Sequence, residues 1–167
     1  MTIVRKKEAL APAIEKAFTQ DHTILVEAFI HGVELTGGVL GNDNPQALPL
    51  VEIRPSEKYD FFDYEAKYKA GAAEEICPAP VNEAITQKAQ RYALAAHQTL
   101  GCMGYSRTDM ILADGELWVL ETNTIPGMTA TSLFPKAAAA AGLSFGQLMD
   151  RLIELAIEAR QYKPHRF

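Results

Sequence analysis

This sequence of 167 residues is most informative in two neighbouring segments, Gly104-Tyr105-Ser106-Arg107-Thr108-Asp109-Met110-Ile111 and Val119-Leu120-Glu121-Thr122-Asn123-Thr124-Ile125-Pro126-Gly127-Met128. Their pattern predicts two strands joined by a tight turn, followed by a loop that contains Gly and Thr. Side chains alternate between the faces of a strand, so Arg107 and Asp109 share one face, as do Glu121 and Asn123. Apolar residues of both parities surround these positions, which indicates a sheet covered on both sides.

The length of the turn determines whether the two carboxylates meet. A two-residue turn at Asp114-Gly115 would place Asp109 opposite Leu120 and leave the carboxylates on different faces. A three-residue connection that includes Glu116, or a β-bulge, would place Asp109 opposite Glu121, with Cβ atoms about 5 Å apart. We predict the three-residue loop or a bulge.

Carboxylates at this separation repel each other unless a cation lies between them. Oxygen ligands from Asp, Glu and Asn suit Mg²⁺, so Asp109, Glu121 and Asn123 form a candidate magnesium site. The alternative is a solvated hairpin whose charges face water. The residues by themselves leave both interpretations open.

Composition limits the class of protein. A chain of 167 residues forms one domain or most of one. Its longest apolar runs fall short of the roughly 18 residues that span a bilayer, and its N-terminus lacks a signal-peptide pattern. We therefore expect a cytoplasmic protein without a membrane partner. The net charge of −5 and the absence of a basic stripe argue against nucleic acid as a partner.

The cysteines and histidines carry no recognisable motif. Cys77 and Cys102 lack the paired spacing of a zinc or redox site, so we expect reduced structural thiols. The four histidines are scattered along the sequence, and we assign them no chemistry.

Periodicity and turn residues predict an irregular alternation of helices and strands. Amphipathic spacing indicates helices over residues 5–19, with Pro12 in the first turn, and over 82–100, 132–141 and 144–159. On the second helix the apolar stripe includes Tyr92 and Leu100, and Ser144 with Gln147 forms a capping box for the last. Strands are expected at residues 24–27, 34–40 and 48–53, and a covering loop at 54–80. The class is α+β, or mixed α/β with antiparallel hairpins.

Several motifs match one family in order and spacing. At residues 64–68, 77–79, 104–109 and 120–129, and more loosely from about residue 24 to 155, the chain resembles the C-terminal half of the D-alanine–D-alanine ligases. These are ATP-grasp enzymes of bacterial peptidoglycan synthesis.

The resemblance implies a fold and an activity. The fold would be the C-terminal part of an ATP-grasp fold, a largely antiparallel sheet flanked by helices. The activity would be ATP-dependent ligation of two D-alanines through an acyl phosphate, for cell-wall synthesis. Residues 1–167 would then be the C-terminal catalytic portion, and the N-terminal substrate domain and first ATP-binding segment would be absent. Such a fragment is expected to be inactive alone, with the missing half and a homodimer mate as partners.

The resemblance also implies roles for residues around the hairpin. Asp109, Glu121 and Asn123 correspond to ligands of two Mg²⁺ ions, or Mn²⁺, that bridge the ATP phosphates. Arg107 and the backbone N–H of Gly127 correspond to groups that stabilise the developing oxyanion.

Other positions correspond to substrate contacts in that family. Ser132 and Leu133 fall where the carboxylate of the second D-alanine is held, although Ser132 alone is also an ordinary helix N-cap. Lys67 and Tyr68 correspond to a loop that closes over the site. The residues expected to hold adenosine are Glu27, Phe29, Ile30 and Glu34.

Alternatives of other classes stay open at this point. The chain could be a non-catalytic nucleotide-binding or structural module, or belong to another ATP-grasp carboxylate–amine ligase.

Overall fold

A computed structural model of the chain describes residues 1–55 and 73–161, with the side chain of Gln161 excepted. The chain divides into two units, Met1–His31 and Gly32–Phe167. Lys67, Tyr68 and the middle of the predicted covering loop lie outside the described residues. Within the described ranges, no helix combines the length and hydropathy needed to cross a bilayer.

The first unit contains a short 3-10 helix, Lys7–Ala9, that leads into helix α1, Leu10–Phe18. Pro12 lies in the first turn of α1, as predicted, where a missing backbone N–H removes no hydrogen bond within the helix. The strand predicted at residues 24–27 is wrong, because residues 24–31 have neither helix nor strand structure. Apolar β-branched residues favour a strand, but a strand also needs a neighbour that completes its hydrogen bonds.

The second unit is built on an antiparallel sheet that has six strands in the described residues. In chain order these are β1 (Val33–Leu40), β2 (Gln46–Ala47), β3 (Val51–Pro55), β4 (Ala73–Ile76), β5 (Tyr105–Ala113) and β6 (Glu116–Asn123). The strand order is β4-β3-β1-β5-β6, and β2 pairs with the end of β1. The predicted mixed α/β class with an antiparallel sheet is confirmed.

The predicted covering loop over 54–80 contains strand residues at 54–55 and 73–76, so the prediction of a loop is wrong at those positions. Residues 54–55 complete β3, and β4 returns antiparallel beside it. The sequence of β4, Ala-Glu-Glu-Ile, lacks a clear polar–apolar alternation. Its charges are matched by neighbours instead, since Glu75 pairs with Lys136 and Glu74 lies 3.6 Å from Arg54.

The second unit also contains helices α2 (Glu83–Thr99), α3 (Leu133–Ala140) and α4 (Phe145–Gln161). Helix α2 begins where the side chain of Asn82 accepts the N–H of Ile85 at 2.9 Å. Helix α4 begins with the predicted capping box, in which Ser144 and Gln147 bond each other's backbone N–H. The predicted helices are confirmed.

The sheet is covered on both faces, as predicted. On one face α2 packs over a core cluster that contains Leu35, Leu50, Ala79, Ala89, Met110 and Leu117. On the other face α3 and α4 pack over Leu40, Leu48, Val51, Phe134, Ala137, Ala138, Leu148 and Leu155. The result is a layer of helix, a sheet and a second layer of helices.

The close approach of these layers depends on two adjacent glycines in β1. A Cβ on Gly37 would lie 3.0 Å from the Cβ of Ala93 in α2, and a Cβ on Gly38 would lie 3.3 Å from the ring of Phe134 in α3. Because successive residues of a strand face opposite sides, each glycine admits a different helix.

The apolar stripe predicted on α2 is wrong in part. Ala89 and Ala93 are fully buried, but Leu100 is 61 % exposed and Tyr92 36 % exposed. The third buried residue of the helix is His97, at 1 % exposure. Leu100 is the C-cap residue of the helix and lies outside its regular turns.

Candidate active site

The hairpin of β5 and β6 has a two-residue turn. Asp114 and Gly115 have φ angles of 51° and 78°, and Ala113 pairs with Glu116. Positive φ at both central residues is typical of a type I′ turn, which matches the twist of the strands. The three-residue connection is therefore wrong.

The predicted alternative, a β-bulge, is confirmed. The register shifts between Asp109 and Met110: Met110 pairs with Val119, whereas Asp109 pairs with Glu121. Leu120 is thus the extra residue of β6. The bulge moves the two carboxylates onto the same face despite the two-residue turn.

Four of the predicted site residues consequently lie on one face at the end of the hairpin. Asp109 is directly opposite Glu121, and Arg107 is directly opposite Asn123. On β1, Thr36 pairs with Asp109 and extends the same row. This face is the one on which α3 packs, whereas Thr108 and Thr122 join their hydroxyls at 3.0 Å on the other face.

Arg107 and Asp109 form a two-pronged ion pair. Nε of Arg107 donates to Oδ1 of Asp109 at 2.8 Å, and a terminal nitrogen donates to Oδ2 at 2.7 Å. Burial opposes the charge of Arg107, but the hydrogen bond to Asp109 and the negative charges of Asp109, Glu121 and Glu34 raise its pKa. Arg107 is therefore a fixed cation beside both carboxylates.

The candidate metal ligands differ in burial. Asp109 is 8 % exposed, Asn123 is half-buried and Glu121 is exposed. The amide oxygen of Asn123 accepts the N–H of Ile125 at 3.0 Å, which holds the side chain against the start of the loop.

The donor set fits Mg²⁺. Among the described residues no group of three or more His, Cys, Asp or Glu side chains is arranged to hold a metal. Mg²⁺ usually takes only one or two carboxylates from the protein and the remaining oxygens from phosphates and water. A carboxylate has about four lone-pair positions, so Asp109 can bind both Arg107 and a cation.

The loop after β6 is organised around Ser132. Oγ of Ser132 accepts the N–H of Thr129 at 3.1 Å and lies 2.8 Å from the hydroxyl of Thr129. Although Ser132 is the N-cap residue of α3, its side chain makes no capping bond to the helix. The ordinary N-cap role is thus wrong for its hydroxyl, and the first N–H groups of α3, from Leu133 onward, receive no bond from it.

Gly127 lies close to the same serine. A Cβ on Gly127 would be 3.0 Å from Oγ of Ser132, so the loop leaves little room for a side chain at this position. The loop therefore brings the backbone of Gly127 next to the start of α3.

The expected adenosine residues are divided by the structure. Glu34, in β1, pairs with Ile111 on the same face as Asp109, and its charge acts on Arg107. Glu27, Phe29 and Ile30 lie in the first unit, in a segment without helix or strand. Their predicted role stays a prediction.

Sequence reasoning missed a buried polar pair behind the site. Nδ1 of His97 lies 2.8 Å from Oγ of Ser106, the residue that precedes Arg107. Strand parity could have indicated it, because Ser106 must face away from Arg107 and toward a helix. The two cysteines, in contrast, agree with expectation: both are free and half-buried, and burial raises the pKa of each thiol.

An open groove of about 480 Å³ lies between α2 and β6. Tyr92, Leu100 and Val119 give it a largely apolar wall, and Glu121 and Thr122 of β6 also line it. Such a lining suits apolar groups, whereas the fixed cation and paired carboxylates that phosphate chemistry requires are around Arg107.

Comparison with known proteins gives consistent similarities. A family model described as D-ala D-ala ligase C-terminus matches residues 1–154. A D-alanine–D-alanine ligase of Syntrophobacter fumaroxidans is 61% identical over 158 residues, which are 95% of this chain and 51% of that protein. The chain spans about half the length of the curated relatives it matches.

Solved structures show the same similarity in three dimensions. The D-alanine–D-alanine ligase from Bacillus anthracis, complexed with ATP, has a TM-score of 0.81 and 30% identity, covering 96% of this chain and 50% of that chain. The VanG D-Ala:D-Ser ligase from Enterococcus faecalis has a TM-score of 0.75 and 37% identity, covering 90% of this chain and 43% of that chain.

Proposed function

We propose that this chain, which belongs to the D-ala D-ala ligase C-terminus family, is the catalytic C-terminal part of an enzyme that joins two D-alanines with ATP. The expected fold, an antiparallel sheet flanked by helices from an ATP-grasp ligase, is confirmed by the architecture and by the structural neighbours. The observation that carries the proposal is the row of Arg107, Asp109, Glu121 and Asn123 on one face of the hairpin.

The proposed reaction has two steps. A carboxylate oxygen of the first D-alanine attacks the γ-phosphorus of ATP, which gives an acyl phosphate and ADP. The free amine of the second D-alanine then attacks the acyl carbon, phosphate leaves, and the amine loses a proton. Both steps concentrate negative charge, so catalysis depends mainly on placed cations and N–H donors.

Asp109, Glu121 and Asn123 are the residues proposed to hold Mg²⁺. Bound there, the metal would neutralise charge on the ATP phosphates. Mn²⁺ also accepts carboxylate and amide oxygens and is proposed as a substitute. Asp109 is held in place by Arg107, whereas Glu121 is exposed and free to adjust to a ligand.

Arg107 is proposed to stabilise the charge that develops during transfer. Its pKa is raised, so it stays protonated throughout the working pH range. The fork to Asp109 fixes the guanidinium plane before substrate binds, and a fixed cation needs little reorganisation in the transition state.

The loop after β6 is proposed to hold the second substrate. The N–H of Gly127 would stabilise the oxyanion, and the start of α3 at Ser132 and Leu133 would receive the substrate carboxylate. Support comes from the hydroxyl of Ser132, which bonds Thr129 and leaves the helix N–H groups to a ligand.

The remaining contacts belong to the same proposal. Glu34 is proposed for the ribose, and Glu27, Phe29 and Ile30 for the rest of adenosine. Lys67 and Tyr68, outside the described residues, are proposed to close over the substrates. The proposed partners are the remainder of the ligase and a second copy in a homodimer. The proposed location is the cytoplasm.

The decisive experiment is D-alanine-dependent ADP release by the enzyme that contains this chain, with the dipeptide identified by mass spectrometry. We expect D-alanyl-D-alanine and ADP to form in equal amounts. Glu121→Gln should abolish most of this activity. The matched control is Glu116→Gln, at the opposite end of the same strand and also exposed, which should leave it unchanged.

Other outcomes would replace the proposal. Mg-ATP binding without any product would favour a nucleotide-binding module, and equal loss in Glu116→Gln and Glu121→Gln would remove the special role of the site. A structural neighbour is a D-Ala:D-Ser ligase, so D-serine and D-lactate belong in the assay. Faster ligation of either than of D-alanine would change the assigned second substrate.

A further inference from the structure

A buried polar pair lies directly behind the strand that carries Arg107. His97 of α2 and Ser106 of β5 are 1 % and 0 % exposed, and Nδ1 of His97 is 2.8 Å from Oγ of Ser106. The other ring nitrogen, Nε2, has no hydrogen-bond partner in the described part of the chain.

The pair does not contribute to stability in full. A buried nitrogen without a partner costs free energy, and replacement of both members of a buried hydrogen bond by apolar groups of similar shape is often neutral. The hydrogen bond does, however, fix the position of Ser106 relative to α2.

That position is the end of β5 that carries the site. The pairing of β5 with β6 begins only at Arg107 and shifts register after Asp109, so Ser106 is paired with β1 alone, opposite Val39. The side chain of Ser106 is tied to a helix rather than to another strand.

His97 also fixes the connection between the helix and the strand. Its carbonyl oxygen accepts the N–H of Cys102 at 2.9 Å, just after Gly101 takes a φ of 64° and ends the helix. His97 thus contacts the connection after α2 through its backbone and β5 through its ring.

The imidazole is suited to this role in its neutral form. Burial lowers the pKa of His97, and the backbone of Gly41, which is near the ring but outside hydrogen-bonding geometry, offsets this only in part. A neutral ring can accept the hydroxyl proton of Ser106 or donate to its oxygen, and either bond is directional.

We propose that His97 is a positioning residue: through Ser106 it sets the place of Arg107, and so keeps the guanidinium in its fork with Asp109. The inference rests on the proposed function for the role of Arg107 in catalysis. The geometric part, the coupling of His97 to the Arg107–Asp109 pair, stands without it.

The test compares variants that remove the bond with variants that keep it or perturb the helix elsewhere. His97→Leu and Ser106→Ala each remove the hydrogen bond. The double variant removes the same bond and no other. His97→Asn retains an amide near the place of Nδ1. Ile85→Ala is the matched control, because it weakens the packing of α2 in the core cluster around Met110 without contacting Ser106.

Two readouts are needed. In the enzyme that contains this chain, the removing variants should lower kcat by about 10- to 100-fold, a size typical of small misplacements, and change KM for ATP by less than about twofold. The kcat of the double variant should be no lower than that of the less active single variant. His97→Asn should recover most of the lost kcat. Ile85→Ala should lower Tm but keep kcat.

The second readout is the Nε–H signal of Arg107 in ¹H–¹⁵N NMR spectra of the 167-residue chain. We expect a slowly exchanging signal in the wild type, His97→Asn and Ile85→Ala, and a broadened one in His97→Leu and Ser106→Ala. If His97→Leu does not fold, Ser106→Ala alone provides the test, because it removes the same hydrogen bond.

Two results would overturn the inference. In the first, His97→Leu and Ser106→Ala keep the kcat and the Arg107 signal of the Ile85→Ala control. In the second, kcat falls in these variants but the Arg107 signal is unchanged. A wild type without ligase activity would instead refute the proposed function, and the NMR comparison would still test the coupling.

Discussion

The two ends of the β5–β6 hairpin are built from the same strands but differ in what fixes them. At the turn end, Asp114 and Gly115 adopt positive φ, and the nearby Lys88 and Glu116 pair with side-chain exposures of 27 % and 69 %. At the site end, Arg107 and Asp109 pair with side-chain exposures of only 16 % and 12 %.

This difference separates local from non-local control. The conformation of the turn follows from the residue types at the turn itself, because Asp and Gly tolerate the left-handed region. The site end depends on a bulge, on the neighbouring strand β1 and on a helix behind it. We therefore expect changes at the site end to affect activity and changes at the turn end to affect only stability.

The largest expected effect is at Arg107. Arg107→Met should lower the rate of ligation by about 10³-fold, since a placed cation at a transferring phosphoryl group is worth this much. Steady-state ADP release measures it. Arg107→Lys keeps the charge but loses the fork, so we expect it to recover only part of the rate.

Folding must be checked for this variant, because Asp109 would lose its partner in a nearly buried position. Circular dichroism and Tm provide the check, and Arg107→Met with Asp109→Asn restores the charge balance. A rate within about tenfold of the wild type in folded Arg107→Met would contradict the assigned role.

A smaller effect is expected for Glu121→Gln. Loss of one carboxylate should weaken Mg²⁺ binding in the presence of ATP by at least about 10-fold, since even the loss of a residue that orients a metal ligand typically costs 10- to 100-fold. Because Glu121 is exposed, Tm should stay nearly unchanged. Isothermal titration with Mg²⁺ and ATP measures the affinity, and unchanged affinity would exclude Glu121 as a ligand.

At the turn end, Gly115→Ala should cost stability alone. Gly115 has a φ of 78°, and an L-residue in this region costs about 1 kcal/mol. For a domain of this size the expected fall in Tm is about 2–4 °C, measurable by calorimetry. The site end should be unaffected, so loss of ligation would show that the two ends are coupled.

The smallest effect is expected for Lys88→Ala. The bond to Glu116 raises the pKa of Lys88, with burial opposing it. Any stabilisation is therefore complete below the ordinary lysine pKa of about 10.4 and is lost as pH rises above it. Because Glu116 is exposed and water screens the pair, we expect no measurable change in Tm at pH 7 in high or low salt. A salt-dependent fall in Tm would show that the Lys88–Glu116 pair stabilises the fold and would contradict this expectation.

Sequence patterns predicted the helices, the capping box of α4 and the row of charges, because these depend on nearby residues. Ser144 and Gln147 are three positions apart, and their capping box follows from that spacing. The alternation that groups Arg107 with Asp109 is equally local. The choice between a longer turn and a bulge could not be made, since both give the same pairing of Asp109 with Glu121.

Most of the failures involve contacts between distant residues. Residues 24–27 have strand propensity without strand structure, and β4 is a strand despite a sequence of mixed charge, because pairing is decided by neighbours. His97 was assigned no chemistry, since a single histidine does not reveal that a serine from another element lies 2.8 Å away. The hydroxyl of Ser132 bonds a loop residue rather than the helix that follows it, which spacing alone cannot indicate.

The adjacent glycines of β1 have a mechanical consequence. Ala93 meets the sheet at Gly37 with only a methyl group, whereas the ring of Phe134 lies against Gly38 on the other face. A methyl group has no rotamers with which to absorb a shift, so we expect a displacement of α2 toward the sheet to move the backbone of β1. Phe134 packs against that backbone and is the second residue of α3, which begins beside the loop of Gly127 and Ser132.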